Sequence, residues 1–167
     1  TIWVAQDITK RKHTEAALER TRREQQIIFD NVSGGIMFTR DRTVVRCNRG
    51  VEQFLGFEPG TLEGQSVRIY FPSDEAYDEF GRFAYPILSA GEVVQREVTY
   101  RHRKGELIPA YVSGRALEPG DLSKGVVWMA QDIRQQKQMA AELEQVRRER
   151  QIIFDNSTGG GILLTRD

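Results

Sequence analysis

A long internal repeat constrains the fold of this chain more than any other feature of its sequence. Residues 1–31 align without a gap with residues 126–156, an offset of 125 (126 − 1). After one additional glycine, Ile36–Asp41 aligns with Ile162–Asp167. Repeats in solenoids and propellers are about 20–50 residues long, so this much longer period indicates a tandem array of whole domains. Residues 31–133 are therefore predicted to form one complete domain.

The repeat also assigns the two ends of the chain. Residues 1–8 are predicted to be the last strand of a preceding copy, and residues 156–167 the first strand of a following copy. Residues 9–30 and 134–155 are predicted to be connector helices, because both are rich in Lys, Arg, Glu and Ala and contain neither Gly nor Pro. The terminal strands belong to incomplete copies and leave unpaired edges. We expect them to pair with one another, to pair with another chain or to fray.

Within the complete copy, the residue pattern predicts the element order β-β-α-α-β-β-β and an α+β fold. The first strands and the short helix are expected at Ile36–Arg40, Thr43–Cys47 and Arg49–Leu55. Ser73 has the side chain of a helix N-cap, and a longer helix should follow it. Pro86 is expected to kink or end that helix. The remaining strands are expected at Glu92–Arg103, Glu106–Leu117 and Gly125–Ile133.

Alternation along the last two strands leaves apolar residues on both faces of the sheet. Tyr111 and Ser113 lie opposite Ile108 and Val112, and Trp128 lies opposite its neighbours on the last strand. A sheet with one face in water would be polar on that face. The second face of the sheet is therefore also expected to be covered.

Short motifs in this order resemble PAS sensory domains. Asn48 follows the second strand, Gly56-Phe57 follows the short helix, and Asp132-Ile133 closes the last strand. The family commonly ends with Asp-Ile-Thr; Asp7-Ile8-Thr9 matches this, whereas Arg134 replaces the threonine in the complete copy. The resemblance implies a five-stranded antiparallel sheet with short helices on one face, connector helices at both ends, and neighbouring first and last strands.

The resemblance also implies a function. The expected role is a non-catalytic sensory and dimerisation module of a bacterial-type multidomain signalling protein. It would relay a signal through the connector helices to a kinase, diguanylate cyclase or phosphodiesterase output domain. The alternative is a ligand-free structural spacer between neighbouring PAS units. An enzyme is a remote alternative, since the sequence shows no Ser/His/Asp or paired-carboxylate constellation.

PAS domains often hold a small molecule between the helices and the inner face of the sheet. By this resemblance, the candidates for lining a pocket are Phe38, Cys47, Phe54, Phe80, Phe83, Tyr100, Tyr111, Ser113 and Trp128. The same side chains can instead simply fill the core, because large aromatic residues are what a small domain needs for its interior.

No cofactor is predicted. Haem-binding PAS domains use a proximal His on the long helix, and residues 73–90 contain none. Photosensory flavin PAS domains carry an Asn-Cys-Arg-Phe type of motif after the second helix. Here Cys47-Asn48-Arg49 has a different order and precedes the first short helix, so Cys47 is interpreted as a small buried side chain. His13 lacks the Arg-Thr-Pro sequence of a phosphoacceptor helix, and the repeat has Gln138 at the equivalent position.

The connector helices carry a thin heptad seam, which predicts a homodimer. Leu143, Val146 and Ile153 follow this spacing, but the seam is polar elsewhere, so isolated dimerisation should be weak. The candidates for contacts through the connector helices and the outer sheet face are Leu18, Ile28, Ile108, Val112, Val127, Met129, Leu143, Val146 and Ile153. The other expected partners are neighbouring PAS units and the output domain of the same chain.

Composition excludes several other classes of function. The 24 basic and 24 acidic residues cancel, which argues against a nucleic-acid binder. One Cys and two His cannot assemble a Cys/His metal cluster or an internal disulfide. No apolar run reaches the length of a membrane span, and a cytoplasmic location is expected.

Overall fold

The computed structural model describes residues 2–158, and the side chains of residues 8–154. The helices are α1 (Ile2–Asn31), α2 (Arg49–Leu55), α3 (Asp74–Ser89) and α4 (Arg134–Thr158). The strands are β1 (Gly35–Arg40), β2 (Thr43–Cys47), β3 (Val94–Arg101), β4 (Leu107–Ala116) and β5 (Val126–Asp132). Short 3₁₀ turns cover Val67–Tyr70 and Leu122–Lys124. The chain divides into two compact units after Asp132, and α4 lies in the second.

The five strands form one antiparallel sheet in the order β2-β1-β5-β4-β3. This confirms the predicted α+β fold, the element order and the adjacency of the first and last strands. The last strand, β5, lies at the centre of the sheet and pairs with β1 on one side and β4 on the other. A displacement of β5 would therefore affect the strand pairs on both of its sides.

Local sequence explains where the helices begin and end. The Ser73 hydroxyl accepts a hydrogen bond from the Ala76 amide at 3.2 Å and caps α3 as predicted. The prediction for Pro86 is only partly right, since α3 continues past it to Ser89. Proline removes one backbone donor, but Leu88, the next-to-last residue of the helix, is fully buried, and this packing offsets the loss.

The face assignment of β4 is wrong in the sequence analysis. Ile108 and Val112 were predicted to contact a partner, but they are 0% and 1% exposed within the core. Tyr111 and Ser113 were predicted to line a pocket, but they lie on the outer face, where Tyr111 is 38% exposed. The physical reason is the limited volume on the inner face of the sheet. The helices and aromatic side chains packed there leave room only for small or aliphatic side chains of β4.

Phe38 also lies on the outer face rather than in the interior. Met37 and Thr39 are buried on the inner face of β1, so alternation turns Phe38 outward. It pairs with Val127 across the strands, and opposed residues of an antiparallel pair share a face. Phe38 is therefore part of an apolar outer surface together with Val127 and Met129.

The ends of the chain differ from their prediction. Residues 2–8, expected to be a strand, belong to α1. A helix satisfies its backbone hydrogen bonds within one segment, whereas a strand needs a neighbour, and β1 and β4 are already paired with β5. Of the predicted strand at 156–167, residues 156–158 are the end of α4, and the remainder lies outside the described residues.

Candidate functional site

The space between the helices and the inner face of the sheet is filled by aromatic rings. Tyr70, Phe71 and Tyr100 contact one another with ring centroids 5.0 to 5.6 Å apart. Phe80 lies 5.4 Å from the Trp128 ring and joins this cluster to a second one beneath α3. Such edge-to-face and tilted contacts add to the stability gained by burial alone.

Two small cavities remain inside this aromatic cluster. One has a volume of about 30 Å³ and lies between Met37, Tyr70, Tyr100 and Trp128. The other has about 10 Å³ and lies beneath α2. Because one water molecule needs at least about 10–15 Å³ of cavity volume, the first cavity has room for about two water molecules. A flavin or haem does not fit in either.

Trp128 is the side chain that closes this interior. Its indole N–H donates to the Thr39 hydroxyl at 3.0 Å, so the one polar atom of the ring is satisfied. The ring lies directly over Gly114 of β4, and a Cβ at that position would overlap with it. Gly114 is therefore required by the close approach of the ring.

Burial also sets the titration of the interior side chains. Desolvation raises the pKa of the phenols of Tyr70 and Tyr100 above their ordinary values. Burial, together with the carboxylates of Glu52 and Glu63, raises the pKa of the Cys47 thiol to about 12. Cys47 is therefore a neutral thiol at physiological pH, and its side chain is half-buried against the core rather than fully buried.

Six of the nine predicted pocket residues face the interior. Cys47, Phe54, Phe80, Phe83, Tyr100 and Trp128 pack in or against the two core clusters. The other three, on β1 and β4, lie on the outer face as described above.

Other residues around the cavities were missed by the sequence analysis. Tyr70 and Phe71 belong to or follow a 3₁₀ turn that the pattern does not predict. Arg42 comes from the β1–β2 turn and reaches the same space. The three consecutive apolar residues Ile69-Tyr70-Phe71 lie between the two predicted helices, and this run is the sequence feature that could have indicated a buried segment.

A second group of polar contacts joins helix α1 to the domain. The buried Asn48 amide donates to the carbonyls of Phe29 at 2.9 Å and Gly34 at 3.1 Å. Its oxygen accepts from the amides of Ile36 at 2.9 Å and Val51 at 3.1 Å. One side chain thus holds the end of α1, the start of β1 and the first turn of α2 together.

Arg46 of β2 supports the same junction. It hydrogen-bonds to Gln26 of α1, and its guanidinium lies 4.7 Å from the centre of the Phe29 ring. The junction borders an open cleft of about 790 Å³, whose lining includes Asp30, Arg49, Gln53 and Gln131. The last turn of α1 is therefore fixed to both β2 and α2.

Several apolar side chains of the described residues are exposed to solvent. On the outer sheet face Met129 is 53% exposed, and Val127 is half-buried. The predicted contact residues of α1 and, separately, those of α4 are all at least 46% exposed: Leu18 and Ile28 on α1, and Leu143, Val146 and Ile153 on α4.

Within the part of the chain that the structure describes, no helix has an apolar stretch long enough to cross a bilayer. These residues also contain no cluster of three or more His, Cys, Asp or Glu side chains that could hold a metal ion.

Comparison with known proteins gives consistent matches. The family model described as PAS domain matches residues 33–135. The sensor protein TdiS of Thauera aromatica is 29% identical over 119 residues, which are 71% of this chain and 22% of that protein. The chain thus spans about a fifth of this curated relative.

Solved structures show the same fold. The PAS domain of a LuxR-family transcriptional regulator from Burkholderia thailandensis, in complex with ethanol, has a TM-score of 0.61 and 24% identity, covering 65% of this chain and 96% of its own. The PAS domain of an HTR-like protein from Haloarcula marismortui has a TM-score of 0.61 and 20% identity, covering 73% of this chain and 99% of its own.

Proposed function

Because the chain belongs to the PAS domain family, we propose that it is a non-catalytic sensory and dimerisation module that relays a signal through its connector helices. The output domain would be a kinase, diguanylate cyclase or phosphodiesterase elsewhere in the same chain, in a cytoplasmic protein with further PAS copies. The observation that carries this proposal is the junction at Asn48, which ties the connector helix α1 to the core at 2.9 Å.

The relay needs a stiff connection between helix and sheet. Asn48 and Arg46 supply it at the start of the domain, because a shift of β1 or α2 moves the acceptors and donors that hold the last turn of α1. At the other end, β5 ends at Asp132 and α4 begins at Arg134. Only Ile133 separates the central strand from the second connector helix along the chain. A two-state arrangement of helices can transmit a conformational change in that strand.

Dimerisation is proposed to use the exposed apolar residues of the connector helices and the outer sheet face. Leu143 and Val146 lie at heptad spacing on α4, and Met129 is exposed on β5. Burying such side chains stabilises association by about 25 cal/mol per Å² of apolar area. Charged residues at these positions would instead repel across a two-fold interface.

The alternative is a structural spacer without its own ligand, which the filled interior favours. A cavity of about 30 Å³ admits about two or three non-hydrogen atoms. Ethanol, present in the Burkholderia thailandensis complex, has three. A sensed molecule in this interior would therefore be very small, unlike a flavin or haem.

The coupling is tested by Asn48→Asp in the full-length protein. The substitution keeps the oxygens that accept from Ile36 and Val51 but removes both donors and places a carboxylate beside two carbonyls. We expect faster hydrogen exchange in the last turn of α1 and altered output activity. Asn31→Ala is the matched control, because the Asn31 amide bonds only to Ile27 within the same helix. Unchanged exchange and output in Asn48→Asp would refute the relay.

Dimerisation is tested separately by Leu143→Lys and Met129→Lys. We expect each to shift the dimer toward monomer in sedimentation equilibrium and to change output in the full-length protein. Lys104→Ala, in an exposed turn between β3 and β4, is the control. If both variants retain the dimer and the output of the wild type, these surfaces are not the interface.

A further inference from the structure

A recess at the β1–β2 turn lies outside the features described so far. It has a volume of about 290 Å³ and is lined by Thr39, Asp41, Arg42, Tyr85, Leu122 and Val126. Thr39, Arg42 and Tyr85 also line the interior cavity of about 30 Å³. These three side chains therefore separate the recess from the interior cavity.

Arg42 is held rigidly in this recess. Asp41 and Arg42 both have positive φ angles, 49° and 58°, and this tight turn directs Arg42 across helix α3. There its Nη2 donates to the Tyr77 carbonyl at 2.6 Å, and its guanidinium carbon lies 3.2 Å from the centre of the Tyr77 ring. Gly81 of α3 permits this approach, since a Cβ there would lie 3.1 Å from the guanidinium.

The charge of Arg42 has no carboxylate partner within the described residues, in contrast to two similar arginines. Arg68 also lies near Tyr77 but pairs with Asp74 at 2.6 Å. Arg96 lies over Phe83 and pairs with Glu79 at 2.8 Å. Arginine has five N–H donors in a planar fork that matches a carboxylate, and Arg42 uses one of them to donate to the Tyr77 carbonyl.

We propose that this recess binds a small organic monocarboxylate, whose carboxylate contacts the Arg42 guanidinium and whose short carbon chain lies against Leu122 and Val126. These two apolar side chains line the same recess as Arg42, which suits a carbon chain of two or three atoms. The exposed carboxylate of Asp41 at the rim disfavours anions of higher charge. The inference goes beyond the proposed relay and does not depend on it.

The test is a titration of the 167-residue chain with sodium propionate, followed by ¹H–¹⁵N NMR. We expect saturable shifts at residues 39–43, 85 and 122–126. Propan-1-ol, which has the same carbon chain without the charge, and inorganic phosphate should bind more weakly. Propan-1-ol or phosphate binding as tightly as propionate overturns the proposal. So do shifts confined to the cleft at Asp30 and Gln131.

Substitutions in the recess test whether propionate contacts Arg42. Arg42→Gln should weaken propionate binding about tenfold or more, since hydrogen bonds to charged groups are among the strongest in proteins. Arg42→Lys should retain part of it, and Tyr85→Phe reports on the phenol hydroxyl. Arg96→Gln is the matched control and should bind as the wild type does. Equal affinity in Arg42→Gln and the wild type refutes the proposal. If Arg42→Gln unfolds, the wild-type comparison of propionate with propan-1-ol still decides it.

Discussion

Replacing Gly114 with Ala tests whether the Trp128 ring fills the interior as tightly as the structure has it. A Cβ at this position would lie only 2.9 Å from Cη2 of the ring and closer still to two other ring atoms. Overpacking of this kind costs about 1–3 kcal/mol. Against this, removing a glycine from the middle of a strand contributes about 0.5–1 kcal/mol of stability. We therefore expect a net loss of about 0–2.5 kcal/mol in the free energy of unfolding.

The same substitution should change sign when the ring is absent. In a Trp128→Leu background the overlap is removed, and only the backbone effect remains, so Gly114→Ala should stabilise that variant by about 0.5–1 kcal/mol. Urea unfolding of the wild type, both single variants and the double variant gives the coupling energy directly. Ser113→Ala, on the outer face of the same strand, is the control and should be additive with Trp128→Leu.

An additive result for Gly114→Ala would refute this reasoning. Sites without contact add within about 0.3–0.5 kcal/mol, so a coupling below that value would mean that the ring does not lie over Gly114. The interior would then have a different shape, and the cavity volumes used above would no longer apply.

Three further predictions concern the same interior. Burial raises the pKa of the Cys47 thiol from 9.0 to about 12. Because the thiolate is the reactive form, Cys47 should react with iodoacetamide at pH 8 roughly 100- to 1,000-fold more slowly than a free thiol. A rate equal to that of glutathione would contradict this. Burial raises the pKa of Tyr70 and Tyr100 in the folded state, so the unfolded chain loses these protons first and the free energy of unfolding should fall as pH rises above about 10. Tyr100→Phe should reduce that slope in urea titrations at several pH values, and an unchanged slope would count against it. Trp128→Ala should cost about 3–5 kcal/mol and create a cavity that binds indole, seen as an indole-dependent rise in melting temperature; no rise would contradict it.

The strands of the complete copy and their order along the chain follow from the sequence because their signals are local. Turn residues and the Ser73 cap each act within a few positions, and these agree with the structure. The adjacency of the first and last strands is instead implied by the resemblance to PAS domains. The sequence does not show which face of β4 is buried, because both of its faces carry apolar residues. Tyr111 on one face and Ile108 on the other give equal hydrophobic signals, and only the volume of Trp128 over Gly114 decides between them.

The site was less predictable than the fold because its contacts join distant parts of the chain. The motif identifies Asn48 as a typical residue of the family, but not its four hydrogen bonds to Phe29, Gly34, Ile36 and Val51. Arg42 reads as an ordinary turn residue, although its side chain reaches Tyr77, 35 positions later. Such partners are set by tertiary packing and leave no periodic pattern.

Arginine–aromatic contacts link the helices of the domain to its sheet. Arg46 on β2 holds Phe29 of α1, Arg42 at the β1–β2 turn holds Tyr77 of α3, and Arg96 on β3 holds Phe83 of α3. Each such contact is worth about 0.5–1 kcal/mol at an exposed site and about 2 when desolvated. The sheet, by contrast, is held by four continuous strand pairs and a buried core. Displacing α1 or α3 would cost these contacts together with the hydrogen bond from Asn48 to α1 and the burial of Ala84 and Leu88 of α3, which is the stiff coupling that the proposed relay requires.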